Sequence, residues 1–212
     1  MYLDEEGKEK NDSKAFYWLS KAADQGLAAS QWAIASMYYQ GIGTAKDEKK
    51  AQFWGLKSAT QGYVGAQKFL GDMYSEKKDK ETAFQWYSKA AAQGDPESEL
   101  MIAFMYYSGD GVKQDIKKAM DIMATHTEKD YAAEALISCY TDDINSLTQH
   151  FNKCLTRAKQ GNAKAQYAVA LAYYNGWGVK KDTKKSYEWL VKAAAQDTKY
   201  EEDKNEMASQ EK

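Results

Sequence analysis

Lys57-Ser58-Ala59-Thr60-Gln61-Gly62 is followed by Lys89-Ala90-Ala91-Ala92-Gln93-Gly94, one pattern written twice. Lys21-Ala22-Ala23-Asp24-Gln25-Gly26 precedes them; Arg157-Ala158-Lys159-Gln160-Gly161 and Lys192-Ala193-Ala194-Ala195-Gln196-Asp197 come later. Counted from the last residue of each, the copies lie 36, 32, 67 and 36 residues apart, and 67 is two units with an inner boundary near Glu128. Self-similarity at this period marks an array of stacked supersecondary units.

Other landmarks keep the same order. A tyrosine stands twelve residues after each boundary, at Tyr38, Tyr74, Tyr106, Tyr140 and Tyr173. Three units then carry Gly-x-Gly, at Gly41 and Gly43, Gly109 and Gly111, and Gly176 and Gly178. Asp47, Asp115 and Asp182 follow four residues on, where a carboxylate can cap a helix start. A small residue and a tryptophan come next: Ala51 and Trp54, Ala83 and Trp86, Ser186 and Trp189.

The period inside a unit is helical. Ser30, Ala33, Ile34, Met37 and Tyr38 fall at i, i+3, i+4, i+7 and i+8, and the units starting at Ala66, Ser98, Ala132 and Ala165 repeat this. The second half shows Ala15, Trp18, Leu19 and Ala22, matched by Ala83, Trp86, Tyr87 and Ala90. Each unit therefore reads as two amphipathic helices, A and B, in a hairpin. The first glycine after helix A suits a left-handed helix end, and Pro96 suits a first helical turn. A lone hairpin cannot bury both its faces, so the units must stack. The expectation is an all-α, right-handed superhelical solenoid with helix A inside and helix B outside. Its units are a partial 1–26, then 27–62, 63–94, 95–128, 129–161 and 162–197, with 198–212 a charged cap or frayed tail.

Composition narrows the function. The chain has 212 residues, 43% hydrophobic and 28% charged, with a formal net charge of −2, as expected of a soluble globular protein. Arg157 is its one arginine, and a basic stripe with arginine forks is missing, which argues against nucleic acid. No apolar run reaches the length of a membrane span, so membrane insertion is not expected. The segment Met1-Tyr2-Leu3-Asp4-Glu5-Glu6 lacks the basic and apolar regions of a signal peptide. Tyr2, Gly7, Ala15, Trp18 and Gly26 stand in register with a full unit, placing the first residues at the end of a helix A. Upstream repeats or a removed leader are therefore expected, and the compartment stays open: cytoplasm, or periplasm or exterior after leader removal.

The repeat resembles the Sel1-like repeat family, a relative of the tetratricopeptide repeat. The resemblance is carried by Ala165-Gln166-Tyr167 through Tyr173, Gly176-Trp177-Gly178-Val179, Asp182, and Trp189 through Lys192-Ala193-Ala194. It covers roughly residues 2–197; the unit from Glu128 to Gly161 departs most, lacking the Gly-x-Gly, the aspartate and the tryptophan. It implies a scaffold or adaptor for protein partners, as in bacterial signalling, envelope and host-interaction settings.

Catalytic chemistry finds little support. His126 and His150 lack metal-ligand spacing and read as surface residues. Cys139 occupies the position of Met37, Met73 and Met105 and reads as core; whether it bridges to Cys154 is left open. The Gly-x-Gly elements follow no strand and lack a Gly-Lys-Ser/Thr ending, so they read as punctuation. Trp18, Trp54, Trp86 and Trp189 read as packing, and the lysine pairs opening helix B as a solvated outer face. No enzyme, cofactor or metal is expected.

The stripe of helix A left over from the core supplies the candidate partner site: Trp32, Tyr39, Leu100, Phe104, Tyr107, Tyr167, Leu171 and Tyr174, with Trp177 on its loop; Trp32, Leu100 and Tyr167 share one register that also suits packing against neighbouring helices. Aromatic anchors bury large areas at little entropic cost. The expected partner is another protein or peptide held by a monomeric adaptor. The alternatives are an immunity protein neutralising a toxin, secreted effector or enzyme, and, less favoured, a sugar-binding cell-wall accessory.

Overall fold

In three units the recurring tyrosine and aspartate are joined through the backbone. The N–H of Asp47 donates to the carbonyl of Tyr38 at 2.8 Å, Asp115 to Tyr106 at 2.9 Å and Asp182 to Tyr173 at 2.9 Å. The same aspartates cap the next helix, their side chains accepting from the N–H groups of Lys50, Lys118 and Lys185 at 3.0, 2.9 and 3.0 Å. In the unit with the shortened connection, Asp79 does both jobs, bonding Tyr74 and accepting from Thr82. One residue type thus closes the loop and opens the helix.

The computed structural model describes residues 5–126, 130–141 and 144–210, with side chains from residue 11 to residue 209 except Tyr131. The expected boundary at Glu128, the landmark Tyr2 and the side chain of Tyr131 lie outside the described residues. Among those residues there are twelve α-helices and no strand: α1 Glu5–Asp24, α2 Ala28–Gln40, α3 Glu48–Thr60, α4 Val64–Glu76, α5 Lys80–Ala91, α6 Pro96–Ser108, α7 Ile116–Met123, α8 Tyr131–Ile137, α9 Leu147–Lys159, α10 Ala163–Asn175, α11 Thr183–Ala194 and α12 Glu201–Gln210. The chain forms two compact units, residues 1–99 and 100–212.

In the first, α1 packs on α2, α2 and α4 form hairpins with α3 and α5, and α3 packs on α4. Its centre is Ala51, Ala59, Ala66, Leu70 and Met73, the three alanines letting the helices approach closely around the two larger side chains. In the second, α8 and α9 pack against α10, which forms a hairpin with α11, and α11 carries α12.

Within each compact unit, glutamines tie consecutive repeats together. Buried Gln31 donates from Nε2 to the carbonyl of Ala23 at the end of α1 (3.1 Å), and Gln61 at the end of α3 donates to the Oε1 of Gln31 (2.7 Å). Gln67 and Gln93 repeat this on Ala59, and Gln166 and Gln196 on Ala158, with 2.7 Å between each pair of side chains. Each relay links one helix B, the next helix A and the helix B after it.

The second glycine of the loop is demanded by close approach. A Cβ at Gly43 would lie 2.3 Å from the carbonyl oxygen of Asp12, and one at Gly178 only 2.2 Å from that of Leu147. Both glycines also hold positive φ, +66° and +68°.

Two expectations need correction. Helix α1 runs unbroken through Gly7 from Glu5, without a helix A end there; a single glycine among helix-forming residues, with no second glycine or capping aspartate, does not stop it. The tryptophans lie at the edge of the core, not inside it. Trp54, Trp86 and Trp189 are half-buried, Trp86 and Trp189 packing against the buried clusters, and each lies beneath the ammonium of the lysine three residues on (Lys57, Lys89 and Lys192, at 4.9, 4.0 and 4.2 Å from the ring), while Trp18 is 67% exposed. The inward position at that level is taken by Ala51, Ala83 and Ser186, each fully buried, so the larger indole lies over the surface. Of the two readings of 198–212, cap and frayed tail, residues 198–210 have the form of a cap: a 3-10 turn, Thr198–Tyr200, leads into α12, and Tyr200 is fully buried.

Candidate partner-binding face

The helix A stripe resolves into separate arrangements. On α2, the Trp32 ring tilts against Tyr63 (centroids 5.6 Å apart), and Tyr39 meets Phe69 edge-on at 5.7 Å. The Tyr39 hydroxyl donates to the carboxylate of Glu76, and Lys46 lies 5.4 Å above its ring. That hydrogen bond, then burial, push its pKa up to about 12, so the phenol stays protonated. Both rings keep partial exposure.

In the second unit, Leu100 is half-buried against the core. Trp177 is no free loop residue. It stacks on Phe104 (6.1 Å, 14°) and meets Tyr107 edge-on (5.0 Å, 84°). Tyr107, expected to face a partner, is only 2% exposed, because its hydroxyl is drawn inward to His150 Nδ1 at 2.7 Å. His150 is likewise corrected from surface to core, being fully buried, and His126 is 8% exposed. The His150 Nε2 stands 2.9 Å from the carbonyl of Leu136, which can only accept. Nε2 therefore carries the proton, and Nδ1 accepts from Tyr107. Burial lowers the His150 pKa to about 4, keeping the ring neutral. Cys139 and Cys154 are free, buried thiols beside this group. In the divergent unit, its α8 only seven residues long, this Tyr107–His150–Leu136 relay is set within an apolar cluster that includes Leu136, Ile144 and Phe151.

The last group is α10. Tyr167 is 4% exposed, so of its two readings, packing and partner contact, it packs. Its ring stacks on Tyr200 at 4.5 Å and its hydroxyl donates to Asp203 Oδ2 at 2.5 Å, both contributed by the C-terminal segment. Leu171 and Tyr174 stay half-buried and line an open cleft of about 260 Å³, with Leu190 of α11 and Asp203, Glu206 and Met207 of α12. The three α12 residues stand at i, i+3 and i+4 and share one face. Reading 198–212 as polar missed them; the available signal was Tyr200 and Met207, seven apart in an otherwise polar stretch.

Hairpins repeated at this period, with capped loops and side-chain relays between units, define a helical-repeat solenoid protein. A family model described as the Sel1 repeat matches residues 1–27, 28–63, 64–95, 96–123 and 163–198, and the chain belongs to the Sel1 repeat family. Proteins of this family generally serve as protein–protein interaction scaffolds and are typically non-catalytic. The chain is similar to c5321, a protective antigen of uropathogenic Escherichia coli strains with an SLR fold, at 30% identity and TM-score 0.59. The match covers 89% of this chain and 42% of that one, so the chain spans less than half the antigen's length. A Sel1 repeat protein from Oxalobacter formigenes matches at 26% identity and TM-score 0.60, over 88% of this chain and 80% of that one. A Sel1 repeat protein from Klebsiella pneumoniae shares the fold at 17% identity and TM-score 0.54, over 91% of this chain and 99% of that one. No described helix is long and apolar enough to cross a membrane.

Proposed function

We propose that this chain is a non-catalytic, monomeric adaptor that holds a protein segment against the helix A side of its repeats. The observation that carries the reading is the cleft beside Leu171 and Tyr174, where apolar and aromatic side chains remain partly exposed next to carboxylates. Trp32 and Tyr39 are likewise partly exposed at helix A positions within the first unit, and Leu100 and Phe104 within the second. Tyr107, Tyr167 and Trp177 support this face from within through their ring contacts. The titratable imidazole of His150 is committed to the core, which suits binding better than acid–base chemistry.

The test is affinity capture with the parent chain and with a Leu171→Ala, Tyr174→Ala variant whose fold is verified by circular dichroism. A partner retained by the parent and lost by the variant supports the reading. Equal recovery by both contradicts it. One stoichiometric partner held very tightly would identify the inhibitor form of the function, an immunity protein against a toxin; several weak partners would identify an adaptor.

A further inference from the structure

We propose that the cleft between α10 and α12 receives a long basic side chain, arginine or lysine, from the partner segment. This deepens the reading above and rests on it.

Size comes first. At about 260 Å³ the cleft lies below the usual range of cofactor and small-molecule sites and suits a single large side chain. Its chemistry is divided. Leu171, Tyr174, Leu190 and Met207 offer an apolar lining, and the lining's only ionisable groups besides the tyrosines are the carboxylates of Asp203 and Glu206. A basic side chain matches both parts, because its methylene stem packs on apolar surface while its charged end seeks carboxylate. An aliphatic side chain would leave the carboxylates facing apolar atoms, and an acidic one would be repelled.

The setting is consistent. Asp203 accepts from the Tyr167 hydroxyl at 2.5 Å, which fixes its carboxylate at the cleft. Glu206 is exposed. The nearest cation on the same helix, Lys204, is held by Glu201. Lys181 approaches from the loop side, its ammonium 5.1 Å from the Tyr174 ring, so that ring already accepts one cation over its face.

The test is selection of a displayed random-peptide library on the full chain, followed by titration of the enriched peptides against three variants. Selected peptides are expected to carry an arginine or lysine at one fixed position. Replacing that residue by norleucine, or introducing Glu206→Lys, is expected to weaken binding about tenfold, with the loss shrinking at high salt. Lys181→Ala should leave affinity unchanged or improve it. Peptides without a fixed basic position, or indifferent to Glu206→Lys, overturn the proposal; if Tyr174→Ala still abolishes their binding, the groove reading survives. Binding indifferent to Tyr174→Ala as well removes both, and a library yielding no binder overturns the proposal.

Discussion

Gln61 donates a 2.7 Å hydrogen bond to Gln31, and Gln31 passes the chain of bonds to the carbonyl of Ala23, tying three consecutive helices through two side chains. The pair recurs as Gln93 with Gln67 and Gln196 with Gln166, so it belongs to the repeat. Its consequence is measurable. Gln166→Leu takes from the Gln196 amide its 2.7 Å acceptor, leaving only the longer bond to Lys192, and removes a second bond to Ala158; it should cost about 1–2 kcal/mol. Urea denaturation of Gln166→Leu, Gln196→Leu and the double variant should show coupling, the double costing less than the sum of the singles. Strict additivity would mean that the relay contributes nothing as a pair.

Acid should loosen the second unit through His150. Its folded pKa, about 4, lies below the free imidazole value of 6.5, so between these values the unfolded chain binds the proton and the folded chain does not. The contribution is fully present above the unfolded value and is lost as pH falls from 6.5 toward 4, about 3 kcal/mol over the window. Urea midpoints at pH 7.5 and 4.5 should differ in this sense, and His150→Gln should reduce the difference. An unchanged difference would place the acid sensitivity elsewhere.

Gly178→Ala should be among the most damaging single-methyl changes in the loops. The new Cβ would meet the backbone of Leu147 at 2.2 Å and the residue would keep φ +68°. Gly161→Ala carries a comparable conformational penalty, φ +92°, but its Cβ meets nothing within 4 Å. The first should lower the melting temperature by clearly more than the second, which should cost about 1 kcal/mol. Equal effects would show that the loop yields freely.

Trp177→Ala should destabilise the second unit by about 2 kcal/mol, because it opens the stack with Phe104 and Tyr107. Thermal unfolding followed by far-UV circular dichroism reads this directly. A variant as stable as the parent would return Trp177 to the role of a free contact residue.

Much of the fold was legible because the sequence repeats itself. Tyr38 with Asp47, Tyr106 with Asp115 and Tyr173 with Asp182 recur because a backbone bond and a helix cap need them at fixed separation. The glutamines were visible as boundary marks, yet a spacing cannot show that Gln61 reaches Gln31 in the facing helix. The tryptophans misled because period alone places a large ring on a face without saying that Ala51 or Ser186 already fills the inward space. In the site, Leu171 and Tyr174 could be read from their register. Tyr107 could not, because its inward turn depends on His150, forty-three residues away. The share of α12 was hidden for a related reason: a charged segment looks soluble until Tyr200 stacks on Tyr167.

The most direct test of the central claim is hydrogen–deuterium exchange of the chain alone and saturated with its captured partner. Protection concentrated in α10 and α12, the helices that bring Tyr174 and Glu206 to the cleft, is the predicted result. Protection confined to α3 or α5, with α10 and α12 unchanged, would contradict binding through the helix A face.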